Sequence, residues 1–175
     1  MPSHQPAGPG VSAADVERWL QDLGLTPIER ADRDGITSWD FRLDGLRRFE
    51  IGVTLILDPG LTLIVWVHFA PPIMDRFRVS YRKLLRWNDE FPFAKFAIAS
   101  DGRPVLSSEL VVGRLTLDEL GLTITRLLAI CDELLEESAS WIWIAGRVPD
   151  FGQQVSRQAG LFARFADRLG ELRSA

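Results

Sequence analysis

Apolar and polar positions change period several times along the chain, and each change marks an element. Val16, Trp19, Leu20 and Leu23 recur at steps of three and four, the spacing that gathers side chains on one face of a helix. Ser12 precedes them as a cap, Val11 and Val16 stand in staple positions, and Gly24 suits the left-handed residue that ends a helix. The spacing predicts a helix over 12–24. From Ile36 the pattern alternates, with Trp39, Phe41 and Leu43 on one side and Ser38, Asp40 and Arg42 on the other, as in a half-buried strand. Asp44-Gly45 reads as a tight hairpin turn into a second strand, where Phe49, Ile51, Val53, Leu55 and Leu57 alternate against Arg48, Glu50, Gly52 and Thr54. Asp58-Pro59-Gly60 turns the chain into a third strand, Leu61 to Phe69, with Leu63, Val65 and Val67 on one face and Ile64 and Trp66 on the other. That strand is apolar on both faces.

Pro71-Pro72 ends the strand, and a helix is predicted over 73–89. Its stripe is read as Met74, Phe77, Tyr81, Leu84 and Leu85, with Arg78, Arg82 and Arg86 on the opposite side and Arg76 and Lys83 nearby. Strands over 93–100 and 103–112 flank Asp101-Gly102, a second hairpin signal. Thr116, with Glu119 three residues on, opens the longest helix, whose apolar face runs from Leu117 through Cys131 to Leu135 and continues to Ala145. Trp143 and Ile144 lie off that face. After Gly146 and Pro149, with Asp150 as a cap, Val155, Phe162, Phe165 and Leu169 predict a last amphipathic segment docked on the body.

The order helix, three strands, helix, two strands, helix, plus an extra terminal helix, resembles the type III secretion chaperone fold. The segment LLRWNDEFPFAKFAIASDGRPVLSSELVVGRLTLDELGLTITRLLAICDELLEE, Leu84 to Glu137, resembles the YbjN family of bacterial proteins, which shares that fold. The resemblance implies an α+β domain with an antiparallel five-stranded sheet backed by helices. It also implies a small, usually dimeric protein-binding module that catalyses nothing. The division expected is a tail at 1–10, rich in proline and glycine, a chaperone-like α+β domain at 11–146, and a helical extension at 147–175 packed on it.

With 175 residues, 46% of them hydrophobic and 25% charged, the chain has the makings of one globular domain. A net charge of −4 supplies no general field for nucleic acid. One cysteine cannot form an internal disulfide, the first ten residues lack a basic start and an apolar core, and no apolar run is long enough to span a bilayer. The expected location is cytoplasmic, with no membrane contact.

Chemistry-bearing residues are sparse. His4 falls in the tail and His68 on the third strand, and Cys131 falls on a buried stripe that disfavours its thiolate. One cysteine and two distant histidines cannot supply a zinc site, and no phosphate-cradling glycine motif occurs. Asp132, Glu133, Glu136 and Glu137 are read as the solvated side of a helix. No catalytic residue, cofactor or metal is expected. Residues 75–86 carry five basic side chains against one acid, and residues 116–139 six acids against Arg126. The plain account of these is two solvated helix faces; the sharper one is that they steer a partner of opposite sign or each other across a homodimer. Off-stripe tryptophans are the kind that anchor interfaces. The candidate partner-binding residues are therefore Ile64, Trp66, Trp87, Trp143 and Ile144, with Arg78, Arg82 and Arg86. Burial under the last helix is the alternative for the tryptophans. The function read is a chaperone-like or adaptor module that binds a segment of another protein on exposed apolar surface. The alternative is a sensory or regulatory accessory protein touching nucleic acid through the basic helix 75–86.

Overall fold

The computed structural model describes residues 10–73, 78–170 and 172, with the backbone alone at Arg78. Residues 1–9 of the tail expected at 1–10, and Met74, Asp75, Arg76 and Phe77 of the second helix, lie outside the described residues. The elements are α1 (Ala13–Asp22), β1 (Glu29–Arg33), β2 (Ile36–Leu43), β3 (Ile51–Asp58), β4 (Thr62–His68), α2 (Arg78–Glu90), β5 (Lys95–Ile98), β6 (Pro104–Val111), α3 (Leu117–Glu133), α4 (Leu135–Ile142) and α5 (Ala159–Leu169). Ser12 caps α1 in a reciprocal box with Asp15, and Thr116 accepts the Glu119 N–H at the start of α3.

One antiparallel sheet runs in the order β1-β2-β3-β4-β6-β5, so there are six strands and not five. The additional strand, β1, is exposed at every residue, which leaves no apolar alternation to read. It turns into β2 through Asp34-Gly35, both at positive φ (52° and 81°), the requirement of a two-residue type I′ turn. Asp44-Gly45, by contrast, is not a hairpin turn. It opens a seven-residue loop, 44–50, because the Asp132 carboxylate draws the chain over α3. Asp132 accepts the backbone N–H groups of Leu46, Arg47 (3.0 Å) and Arg48 (2.7 Å), so this side chain is a buried loop anchor and not part of a solvated face. A Cβ at Gly45 would lie 2.2 Å from Asp132 Oδ1, which explains the glycine by close approach.

The helices cover one face of the sheet. Trp39, Phe41, Leu55, Val65 and Leu106 meet Leu120, Ile124 and Leu128 of α3 in one continuous core. The expected single long helix breaks at Leu134 into α3 and α4. On α2 the buried stripe is Ser80, Leu84 and Trp87, continued by Phe91 just past the helix end, while Leu85 is 69% exposed, so the predicted stripe is out of phase at its end. α5 lies across α3 at Gly121, where a Cβ would meet the Phe165 ring at 2.7 Å.

Candidate partner-binding surface

Because side chains alternate along a strand, the faces of β3 and β4 turned away from the helices carry Thr54 and Ile56, and Ile64, Trp66 and His68. Register brings Thr54 opposite Trp66 and Ile56 opposite Ile64, with Ser107 and Glu109 next to them on β6. Ile56, Ile64 and Trp66 are half-buried among these neighbours, and none belongs to the core or packs against it. Leu63, Val65 and Val67 are sealed on the other face. The pattern of β4 is thus that of a strand apolar on both sides with only one side covered among the described residues.

The other candidate residues are distributed differently. Trp87 has no exposed surface: it sits in an aromatic cluster with Phe69, Phe96 and Trp141, at centroid distances of 5.8, 5.2 and 5.4 Å. It is a core residue and cannot contact a partner, because it lies three residues from Leu84 on the inward stripe of α2. Trp143 is half-buried against the Phe151 ring, which in turn meets Phe49 edge-on at 5.0 Å. Ile144 beside it is fully exposed. These two follow α4, on the helical side of the sheet, so they form a second patch and do not extend the Ile64–Trp66 surface.

On α2, Arg82 is exposed and Arg86 pairs with Glu90 (2.8 Å) and Glu137 (3.2 Å). Lys83 donates to the Glu137 carbonyl at 3.2 Å and lies 5.9 Å from the Trp141 ring centre. Part of the basic stripe is therefore engaged within the chain by the acidic segment after α3. Exposed Val79 and Leu85 share the outward side with Arg82 and Arg86, a mixed apolar and basic ridge, although the spacing predicts Leu85 on the opposite, inward stripe.

His68 shares the open face. Thr54 donates its hydroxyl proton to Asp40, which leaves Thr54 Oγ1 to accept from the His68 Nε2–H at 3.1 Å. Burial holds His68 below the ordinary histidine range; Asp40 opposes this, and Arg103 and Arg42 reinforce it. Cys131 is pushed up to about 11 by burial. Among the described residues no group of three or more His, Cys, Asp or Glu side chains could hold a metal ion. No described helix is long and apolar enough to cross a membrane. The sequence reading missed Ile56, although its even spacing from Thr54 already put it on the open face.

Two solved structures are similar to this chain. One is the Yersinia pestis type III secretion chaperone SycH in complex with a stable fragment of YscM2, at 19% identity and a TM-score of 0.47, over 67% of this chain and 94% of that one. The other is the ExsC-ExsE complex, at 20% identity and a TM-score of 0.46, over 69% of this chain and 91% of that one. No curated protein matches the sequence. Residues 12–139, from the cap of α1 into α4, match the family described as "YbjN: Putative bacterial sensory transduction regulator", and the chain belongs to that family.

Proposed function

We propose that this protein is a non-enzymatic, chaperone-like or adaptor module that binds a segment of another protein on the open face of its sheet. The observation that carries the reading is the apolar patch Ile56, Ile64 and Trp66 across β3 and β4, uncovered among the described residues and outside the core, while Leu55, Leu57, Leu63, Val65 and Val67 on the other face of the same two strands are sealed. A partner segment laid there removes apolar area from water, at about 25 cal/mol per Å². The exposed edge strand β1 offers backbone groups for added strand pairing, whereas on β5 the Phe96 N–H and carbonyl are already bonded by the Asn88 side chain. Charges around the patch, among them Lys95, Glu109 and Arg103, orient the segment more than they hold it. Regulation by binding a partner protein agrees with the family's description. The nucleic acid alternative has less support, since Arg86 and Lys83 are already engaged by Glu137.

A photo-crosslinking residue at Ile64, in the native cell, tests the reading. One discrete adduct that disappears with Trp66→Glu supports it, provided circular dichroism shows the variant folded. The same adducts from Ile64 and from Asp167 on the far side of α5 would refute it.

A further inference from the structure

Beside the apolar patch the open face becomes cationic. A cavity of about 390 Å³ is lined by Arg42, Arg48, Gly52, His68, Pro72 and Arg103. Gly52 lets the wall come close: a Cβ there would lie 3.0 Å from Arg42 Nη1 and 3.2 Å from the His68 ring. The Arg42 side chain makes no ion pair or hydrogen bond among the described residues. Among the described residues Arg103 pairs with Asp101 alone, at 3.0 Å and with both side chains about half exposed, which is a weak hold. Arg48 is 6% exposed; its Nη2 donates to the Phe69 carbonyl, its guanidinium lies 5.2 Å from the Phe69 ring centre, and its Nη1 has no acceptor among the described residues. Asp132 answers its charge from within the chain, but the oxygens of that carboxylate are taken by loop N–H groups, so the Nη1 hydrogens stay unsatisfied, which is costly in a buried guanidinium. Glu50, the acid that also lines the cavity, is bound by Arg157.

We propose that this cavity binds the oxyanion group, carboxylate or phosphate, of a small molecule. Arg42 and Arg103 carry forked donors suited to the oxygens of an anion, and Arg48, which also lines the cavity, adds its positive charge. His68 supplies the regulated part. Its Nε2–H is committed to Thr54, so a proton taken up when an anion arrives goes to the other ring nitrogen and adds a positive charge at the cavity wall. Asp40 and Arg42 from β2, Asp101 and Arg103 from the β5–β6 turn, and Arg48 and Glu50 from the loop before β3 are the charges around the ring. Asp40 is occupied by Thr54, and Asp101 by Arg103. By linkage, an oxyanion here raises the affinity of His68 for protons, and acidification tightens the oxyanion. The inference is independent of the partner-binding reading.

The chain has two histidines, so NMR of their ring carbons in the full-length protein reads the site directly, with His4 as an internal control. Inorganic phosphate and succinate are titrated separately, each against sodium chloride of equal ionic strength. The expected result is a saturable shift of His68 alone, with either or both anions, tighter at pH 6 than at pH 8 once the change in each anion's own ionisation is allowed for. Arg42→Gln, on an exposed side chain, should weaken it about tenfold or more, the worth of a charge-assisted hydrogen bond. A His68 shift that follows ionic strength, or is unchanged in folded Arg42→Gln, would overturn the proposal. Which anion saturates distinguishes a phosphate ligand from a carboxylate.

Discussion

Arg157 grips Asp44 from the other end of the chain: its backbone N–H and Nε reach Oδ2 at 3.1 and 2.8 Å, and its Nη2 reaches Oδ1 at 2.8 Å. The contact ties the segment before α5 to the loop between β2 and β3, and Gln158 strengthens it by accepting the Asp44 N–H. Burial pushes the Asp44 carboxyl up, but the hydrogen bonds from Arg157 and from the Glu50 N–H outweigh it and hold the group at about 2. Because the folded value lies below the ordinary 3.8, the stabilisation is complete above that pH and is lost as pH falls from about 4 towards 2. Since Arg157 is half exposed, screening reduces the contribution to about 1–2 kcal/mol. Denaturant melts at pH 7 should show that loss in Arg157→Ala. Between pH 4 and 2 the variant's stability should fall less steeply than that of the wild type.

Asp132 is the second anchor of the same loop. Asp132→Ala leaves three loop N–H groups without their acceptor, and the expected loss is about 3 kcal/mol. Gly45→Ala should destabilise through the same contact, since the new methyl falls on the carboxylate. Hydrogen exchange at Leu46, Arg47 and Arg48 separates local from global effects: these amides should lose protection in both variants while β3 and β4 keep theirs.

Much of the sheet could be read from the sequence because its strands have one covered face, and period-two patterning records that directly: Trp39, Phe41 and Leu43 are all sealed as their alternation implied. β1 escaped because an edge strand exposed on both faces has no such record, only the Asp34-Gly35 turn. The stripe of α2 slipped where Leu84, Leu85 and Trp87 offer two apolar phases within one turn, and only the aromatic pocket of Phe69, Phe96 and Trp141 selects Trp87. Asp132 could not be told from its acidic neighbours, since its partners are backbone groups 84 to 86 residues away. Of the candidate surface, Ile64 and Trp66 were readable from β4 alone. The cationic cavity was not, because Arg42, His68 and Arg103 come from three separate strands or turns.

The crossing of α5 over α3 depends on a missing side chain. At Gly121 a Cβ would meet Phe165 at 2.7 Å and Leu23 at 2.8 Å, so even alanine forces a neighbour to move. Overpacking of this kind costs about 1–3 kcal/mol, against roughly 1 kcal/mol of helix propensity gained on replacing glycine. Gly121→Val should therefore loosen α5, and limited proteolysis should cut between Gly146 and Ala159 earlier than in the wild type.

Cys131 reports on opening of the core. Burial raises its thiol to about 11, Arg48 working against the shift, so little thiolate forms at pH 8 and none of it is accessible. Alkylation by iodoacetamide in the native state should proceed at the rate set by unfolding and become fast in denaturant. Rapid native labelling would show that α3 separates from the sheet far more often than its packing implies.

Trp66 and Trp87 should separate packing from binding. Trp87 fills a pocket with no exposed surface, and truncation to alanine there should cost about 3–5 kcal/mol, the range for large aromatics removed from a core. Trp66 rests half-buried on an uncovered face, next to Thr54 and Ser107, and packs on nothing in the core. Its truncation should cost under about 1 kcal/mol, within the usual range for surface sites. Thermal melts of the two variants decide the matter. If Trp66→Ala destabilised the chain as much as Trp87→Ala, the open face would be needed for folding, and it would no longer be surplus surface available to a partner.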